Sequence, residues 1–192
     1  DGSNDTHSAN SPLSETLTFD PTSGNSPQQA TTNWHSTPSD TSTTPSNIDS
    51  FTIKGLIGRG GMGHVYKGFD TNLDREIAIK VMHPSRAKDE VSKKRFLRES
   101  KTAASINHPS IVTIYQIGEH NKLPYIAMHL IDGPNLSEYM AQQGGLIPVP
   151  EAVRIGREIS EGLAAAHEKG LVHRDVKPDN ILLEGPNRHV QI

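Results

Sequence analysis

Cysteine is absent from this 192-residue chain, which excludes disulfide bonds, thiolate metal sites and thiol catalysis. The ten histidines show no H-E-x-x-H pattern or other metal-ligand spacing. No apolar run approaches the roughly 20 residues that a membrane-spanning helix needs. We therefore expect no membrane segment in this chain and no metal centre built from Cys or His.

Lysine and arginine are absent from residues 1–50, a stretch that holds 21 Ser or Thr and six acidic residues. Its few apolar residues show no period, so it cannot bury enough surface to offset the chain entropy lost on folding. We expect residues 1–50 to be a disordered tail, either an inert linker or a docking or phosphoacceptor segment. The remaining residues carry 19 basic and 16 acidic side chains, too weak an excess to indicate nucleic acid or an anionic membrane as partner.

A glycine-rich turn separates the first two segments with a strand pattern. Residues 51–57 and 64–69 predict strands, and Gly58-x-Gly60-x-x-Gly63 lies between them. Glycine leaves the backbone N–H groups of such a hairpin open to phosphate oxygens. The same spacing also fits the dinucleotide-binding fingerprint, which requires a helix after the last glycine. Alternation after Gly63 favours the hairpin over that reading.

A lysine and a glutamate form a second candidate pair. Lys80 interrupts the apolar strand 76–82, where it would face phosphates held by the hairpin or, alternatively, reach for solvent at the strand end. Residues 86–106 predict a helix, with Glu99 on the same stripe as the apolar Phe96. Because an unpaired buried charge is costly, Lys80 is the candidate partner of Glu99, unless Glu99 lies at the stripe's edge and faces water.

The rest of the chain predicts two more strands and two helices before a polar loop. Strands at residues 111–118 and 122–130 precede a short helix capped by Asn135 and a long one from Glu151 to about residue 169. The loop from His173 to Asn180 then leads into a strand at 181–183. It brings together an acceptor, a cation and an amide carbonyl, which phosphoryl transfer to a hydroxyl requires: Asp175, Lys177 and Asn180.

In this order the motifs resemble the protein-kinase signature set. The matching phrases are Gly58-x-Gly60-x-x-Gly63-x-Val65, Ile77-Ala78-Ile79-Lys80, Glu99, and His173-Arg174-Asp175-Val176-Lys177-Pro178-Asp179-Asn180. Together with Asn107-His108-Pro109, they make residues 51–192 similar to a bacterial-type (Hanks-type) serine/threonine protein kinase, over the N-terminal part of its domain.

The resemblance implies an α+β fold of protein-kinase type, with a disordered N-terminal tail. A five-stranded antiparallel sheet and one long helix would form the N-lobe at 51–130. A hinge would occupy about 129–134, and 135–192 would begin a mainly helical, truncated C-lobe.

The family also implies residue roles, with ATP and Mg²⁺ as cofactors. Asp175 would accept the substrate hydroxyl proton, Lys177 would neutralise the γ-phosphoryl charge, and Asn180 would ligate Mg²⁺. Lys80 would pair with the α- and β-phosphates and with Glu99. The implied nucleotide-binding residues are Ile57, Gly58, Gly60, Gly61, Gly63, Val65, Ala78, Lys80, Glu99, Met128 and Asn180. The family often has Glu at position 129; because backbone groups pair with adenine there, we expect little consequence from His129.

The implied reaction is transfer of the γ-phosphoryl group of ATP to Ser or Thr hydroxyls of a protein substrate. The implied location is cytoplasmic, or the cytoplasmic face of a membrane. The family's Asp-Phe-Gly motif, whose Asp is the main Mg²⁺ ligand, is not in this sequence. We therefore expect the polypeptide as given to be inactive and to fold poorly around the helix that starts at Glu151. A pseudokinase, a kinase-shaped binding or scaffold module, is the alternative.

Overall fold

The computed structural model describes residues 45–192. The expected disorder of residues 1–44 lies outside this range. The fold begins before the predicted boundary at residue 50, because residues 47–48 already form a short strand against the next one. Ile48 explains this difference, since its side chain is only 2% exposed and belongs to the sheet core.

A six-stranded antiparallel sheet forms the first half of the described chain, in the order β1-β2-β3-β4-β6-β5. Its strands are β1 (Asn47–Ile48), β2 (Phe51–Gly60), β3 (Gly63–Asp70), β4 (Arg75–Met82), β5 (Ile114–His120) and β6 (Leu123–His129). The five predicted strands are all present, and β1 is the addition. The α+β kinase-like fold class is therefore confirmed.

The predicted helix at 86–106 is two helices, α1 (Pro84–Ala87) and α2 (Glu90–Ala104). The break occurs because the Asp89 carboxylate accepts hydrogen bonds from the backbone N–H groups of Val91 and Ser92. A side chain that caps a helix in this way fixes a new first turn, so the preceding turn cannot continue into it.

The remaining elements form a smaller second unit. They are α3 (Leu136–Gln142), α4 (Val149–Glu168), a 3₁₀ turn (Pro178–Asn180), and a two-stranded sheet of β7 (Leu182–Glu184) and β8 (His189–Gln191). A capping box between Asn135 and Glu138 starts α3. One apolar cluster joins the helices to the small sheet through Tyr139, Ile155 and Leu183. No helix within residues 45–192 is both long and apolar enough to cross a bilayer.

A carboxylate ties the two ends of the large sheet together. The Tyr125 hydroxyl in β6 donates to Asp49 Oδ2 at 2.6 Å, and the amide of Gln116 in β5 donates to the same oxygen at 3.2 Å. The Asp49 backbone N–H donates to His120 Nδ1 at 3.1 Å. The turn after β1 is therefore hydrogen-bonded to residues of β5 and β6. These bonds bring the two edges of the sheet together and curl the sheet around its core.

Candidate active site

The glycine-rich stretch is a β-hairpin, with Arg59 opposite His64 and Gly60 opposite Gly63 at its closed end. Strand β3 begins at Gly63 itself, so no helix follows the last glycine. The dinucleotide-binding reading is therefore wrong. The hairpin tip is tied to the end of β4, because the backbone N–H of His83 donates to the carbonyl of Met62 at 3.0 Å.

The glycines of this hairpin differ in what surrounds them. A Cβ at Gly61 would meet nothing within 4 Å, so the backbone there is open to a ligand. A Cβ at Gly63 would lie 2.0 Å from the carbonyl oxygen of Val81. Gly61 fits the expected role of exposing backbone to phosphate, whereas Gly63 permits the close approach of β3 and β4.

One face of the sheet carries four of the predicted nucleotide contacts, Val65, Ala78, Lys80 and Met128. Val65 lies opposite Lys80, which lies opposite Ile126, and Ala78 lies opposite Met128. Because side chains alternate between faces along a strand, these five point to the same side. Val65 and Ala78 are 5% and 4% exposed, so a close-packed apolar surface adjoins the lysine. The register does not place Ile57 on this face, since it falls in an irregularity between Leu56 and Gly58.

Lys80 is the cation at the centre of this face. Its ammonium has no ion-pair partner within 4.0 Å among residues 45–192. Burial lowers the pKa of Lys80 from its ordinary value, and the negative charge of Asp175 opposes that shift. A desolvated ammonium without a paired carboxylate is suited to receive an anion.

The expected pair between Lys80 and Glu99 is not formed. Glu99 instead lies 3.6 Å from the guanidinium of Arg174, in the loop between α4 and the 3₁₀ turn. Arg174 has a φ of 66°, in the left-handed region, which turns the chain sharply before Asp175. Glu99 thus has a cation partner in the loop, and Lys80 is not within 4.0 Å of it.

The polar loop brings its three predicted residues together. The Asn180 side-chain amide donates to the backbone carbonyl and to Oδ2 of Asp175, both at 2.8 Å. Lys177 Nζ lies 3.4 Å from the same Asp175 oxygen. The hydrogen bond from Asn180, followed by the charge of Lys177, lowers the pKa of Asp175, so this carboxylate is ionised at neutral pH.

Backbone bonds hold this loop against the start of α3. The N–H of Leu136 donates to the carbonyl of Ile181 at 2.8 Å, and the N–H of Leu183 donates to that of Pro134 at 2.9 Å. Gly133 allows the approach, since a Cβ there would lie 1.9 Å from the Leu183 carbonyl oxygen. The strand that leaves the loop is thereby fixed next to the segment that follows β6.

The site residue that sequence reasoning missed is His129. Its ring contacts the Glu184 carboxylate in β7 on one side and the Tyr115 hydroxyl in β5 on the other. The expectation that His129 has little consequence for adenine pairing concerns its backbone and stays a prediction, whereas these contacts involve its side chain. The departure from the family's usual Glu was the available signal, but the contact with Glu184 depends on tertiary structure.

The site offers one oxygen ligand for Mg²⁺ and one cation for the phosphates of a nucleotide. Asn180 uses its amide nitrogen on Asp175, which leaves its carbonyl oxygen as a hard donor of the kind that Mg²⁺ takes. The unpaired ammonium of Lys80 provides the matching cation for phosphate. Within residues 45–192 there is no cluster of three or more His, Asp or Glu residues that could hold a metal alone. A bound ion would therefore depend on phosphate oxygens as further ligands.

The protein kinase domain family matches residues 51–192, and the chain belongs to that family. It is 43% identical over 134 residues to serine/threonine-protein kinase PrkC of Bacillus subtilis (strain 168), covering 70% of this chain and 20% of PrkC. It is likewise 43% identical over 133 residues to serine/threonine-protein kinase PknE of Mycobacterium tuberculosis (strain ATCC 25618 / H37Rv), covering 69% of this chain and 23% of PknE. The chain thus spans about a fifth of the length of these relatives.

Comparison with solved structures indicates the same family as the sequence relatives. The crystal structure of the Mycobacterium tuberculosis PknI kinase domain matches with a TM-score of 0.68 and 31% identity, covering 76% of this chain and 59% of that one. The resemblance to a bacterial-type serine/threonine protein kinase, over the N-terminal part of the kinase domain, is confirmed.

Proposed function

We propose that this domain binds Mg²⁺-ATP and takes part in transfer of the γ-phosphoryl group to Ser or Thr hydroxyls of proteins. The observation that supports this most is Lys80, a desolvated ammonium without an ion-pair partner among the described residues. It lies beside an apolar surface on one side and interacts electrostatically with Asp175 on the other. This arrangement suits a ligand with an apolar ring and an anionic tail.

The proposed roles follow from the chemistry of each group. Val65 and Ala78 pack on the adenine, with Met128 at the back of its pocket, and the open backbone at Gly61 approaches the phosphates. Lys80 orients the α- and β-phosphates. Mg²⁺, when bound through the Asn180 carbonyl oxygen, neutralises phosphate charge.

Asp175 and Lys177 act on the reacting groups. Asp175, ionised because its pKa is lowered, accepts the proton of the substrate hydroxyl. Lys177, 3.4 Å from that carboxylate, is placed to neutralise charge on the transferring phosphoryl group. Both residues position and stabilise charge, and neither forms a covalent intermediate.

Nucleotide binding is tested on the 192-residue chain with a fluorescent ATP analogue and Mg²⁺. We expect Lys80→Met to weaken binding about tenfold or more, since a charge-assisted contact with phosphate is lost. Lys101→Met, which changes an exposed lysine of α2, is the matched control and leaves binding unchanged. Equal affinities for the wild type and Lys80→Met would refute the proposed phosphate contact.

Phosphoryl transfer is tested on the protein at its natural length, with Asp175→Asn as the comparison. We propose that the 192-residue polypeptide alone transfers no phosphate, because the family's Asp-Phe-Gly is not in this sequence. Robust Asp175-dependent labelling by that polypeptide would contradict this. The use of ATP supports a cytoplasmic location for the domain.

The Glu99–Arg174 pair favours a second candidate, a pseudokinase-type nucleotide-binding or scaffold module. In such a module the phosphate-binding lysine has no need of a carboxylate partner. Nucleotide binding by the natural-length protein without any Asp175-dependent transfer would favour this candidate over the kinase.

A further inference from the structure

His129 ends a row of core-facing side chains on β6. Tyr125 and Ala127, the preceding members of that row, are both 0% exposed and belong to the sheet core. The His129 side chain is 37% exposed, so the row passes from apolar core to a polar ring at the last residue of the strand. Its backbone lies at the start of the hinge, and its N–H donates to the Thr113 carbonyl at 2.9 Å.

Both ring nitrogens of His129 are used. Nε2 contacts Oε1 of Glu184, and Nδ1 lies 3.1 Å from the Tyr115 hydroxyl. One neutral tautomer satisfies both contacts, with Nε2–H donating to the carboxylate and the Tyr115 O–H donating to Nδ1. The ring is thereby fixed in orientation between β5 and β7.

The contacts continue on each side of the ring. The second oxygen of Glu184 accepts from the Gln191 amide at 3.1 Å, and this amide also donates to the Pro109 carbonyl at 2.9 Å. On the other side, the Arg75 guanidinium stacks over the Tyr115 ring at 3.6 Å. The network thus runs from the start of β4, through His129 at the hinge, to the small sheet that follows the loop from His173 to Asn180.

Two backbone bonds hold one side of this junction, since the Val112 N–H donates to the Ile192 carbonyl at 3.2 Å and the Ile192 N–H donates to the Ser110 carbonyl at 3.1 Å. Side chains of the network line an open cavity of about 460 Å³ behind the hinge, together with His108 and Thr113. At the border of this cavity, the side-chain contacts that join the two parts are the polar ones made by His129, Glu184 and Gln191. Within the described chain, an ion pair between Glu99 and Arg174 also joins these two parts, at 3.6 Å with the Arg174 side chain 62% exposed. A pair so exposed contributes little.

We propose that His129 is a positioning residue that, through Glu184, fixes the sheet relative to the catalytic loop and so sets nucleotide affinity. The sheet side carries Lys80 and the apolar surface for adenine. Glu184 ends β7, which leaves the Pro178–Asn180 turn directly. The consequence for affinity rests on the proposed function, whereas the mechanical role of the pair does not.

A charge-exchange cycle tests the pair. His129→Glu places two carboxylates together, Glu184→Lys removes the acceptor, and the double variant places opposite charges at the same two positions. The control exchanges charges at Arg157 and Glu161, an exposed pair within α4 that joins no two elements. Thermal unfolding of every variant shows whether it folds.

The geometric readout needs no nucleotide. Because the chain has no cysteine, spin labels can be placed at Thr71→Cys in the β3–β4 turn and Lys169→Cys after α4, both exposed. Pulsed electron spin resonance then reports the distance distribution between the sheet and α4. We expect a broader distribution in His129→Glu and recovery in the double variant, while the control exchange leaves it unchanged.

The affinity readout uses the same ATP analogue. We expect about tenfold weaker binding in His129→Glu and recovery to within roughly twofold in the double variant. An unchanged distance distribution in His129→Glu overturns the inference, as does broadening that the double variant does not reverse. If the wild type fails to bind the nucleotide while the distances respond as expected, the proposed function fails and the positioning role stands.

Discussion

The glycine motif alone does not show which glycine exposes backbone to a ligand and which one permits close packing of two strands. Replacement of Gly63 by alanine distinguishes these two roles. The added Cβ would lie 2.0 Å from the Val81 carbonyl oxygen and 2.9 Å from its carbonyl carbon. Ordinary contact begins at 3.4 Å, so β3 and β4 must move apart by more than 1 Å at this point. The obstacle is backbone, which cannot rotate away as a flexible side chain can.

Overpacking of this kind costs about 3 kcal/mol, at the upper end of the usual range, because both strands are paired on their other sides as well. For a chain of this size, such a loss lowers the unfolding midpoint by roughly 9 °C. Gly61→Ala is the matched control, since its Cβ would meet nothing within 4 Å.

Calorimetry or urea unfolding of the two variants measures the difference directly. We expect Gly63→Ala to lose stability and Gly61→Ala to remain within about 0.5 kcal/mol of the wild type. Equal unfolding free energies for the two variants would refute the assignment of Gly63 to strand packing.

Three further changes test other contacts. Arg174→Ala removes the exposed ion pair with Glu99; we expect stability within about 0.5 kcal/mol of wild type in urea unfolding, and a larger loss would show that this pair holds the two parts of the chain together. Tyr125→Phe removes the hydrogen bond to Asp49 and should cost about 2 kcal/mol in urea unfolding, whereas a neutral result would show that the sheet ends close without it. Burial lowers the pKa of Lys80, so just below pH 10.5 the unfolded chain binds more protons than the folded chain. The stability of the wild type relative to Lys80→Met should therefore rise from pH 7 towards pH 10. A fall in this stability difference would contradict the lowered pKa.

Local sequence patterns predicted most of the elements. The hairpin around Gly58 to Gly63 and the loop from Asp175 to Asn180 are contiguous, and short-range spacing determines their geometry. The break before α2 was also readable, because Asp89 followed three residues later by Ser92 is a good N-terminal cap. Strands β1 and β8 gave no such signal, since each holds a single apolar residue, unlike the apolar run that predicted β7.

Side-chain partners across the two halves of the chain were not predictable in the same way. The sequence shows that Glu99 lies on the packed side of a helix, but not how that helix is rotated relative to the sheet. The orientation of that helix decides which cation the carboxylate meets, and in the structure this cation is Arg174. His129 is a similar case, because Glu184 follows it by 55 positions and no local pattern links them.

The two predicted partners of Lys80, phosphate and Glu99, therefore differ in how they relate to this ammonium. Under the proposed function, phosphate is the partner of this ammonium, because it carries more charge than the Glu99 carboxylate. Glu99 already has a cation within 3.6 Å, and leaving it would cost that contact. The proposed nucleotide binding thus starts from a Lys80 that is desolvated and has no ion-pair partner among the described residues. Recruitment of Glu99 becomes a second step, and its equilibrium depends on Arg174.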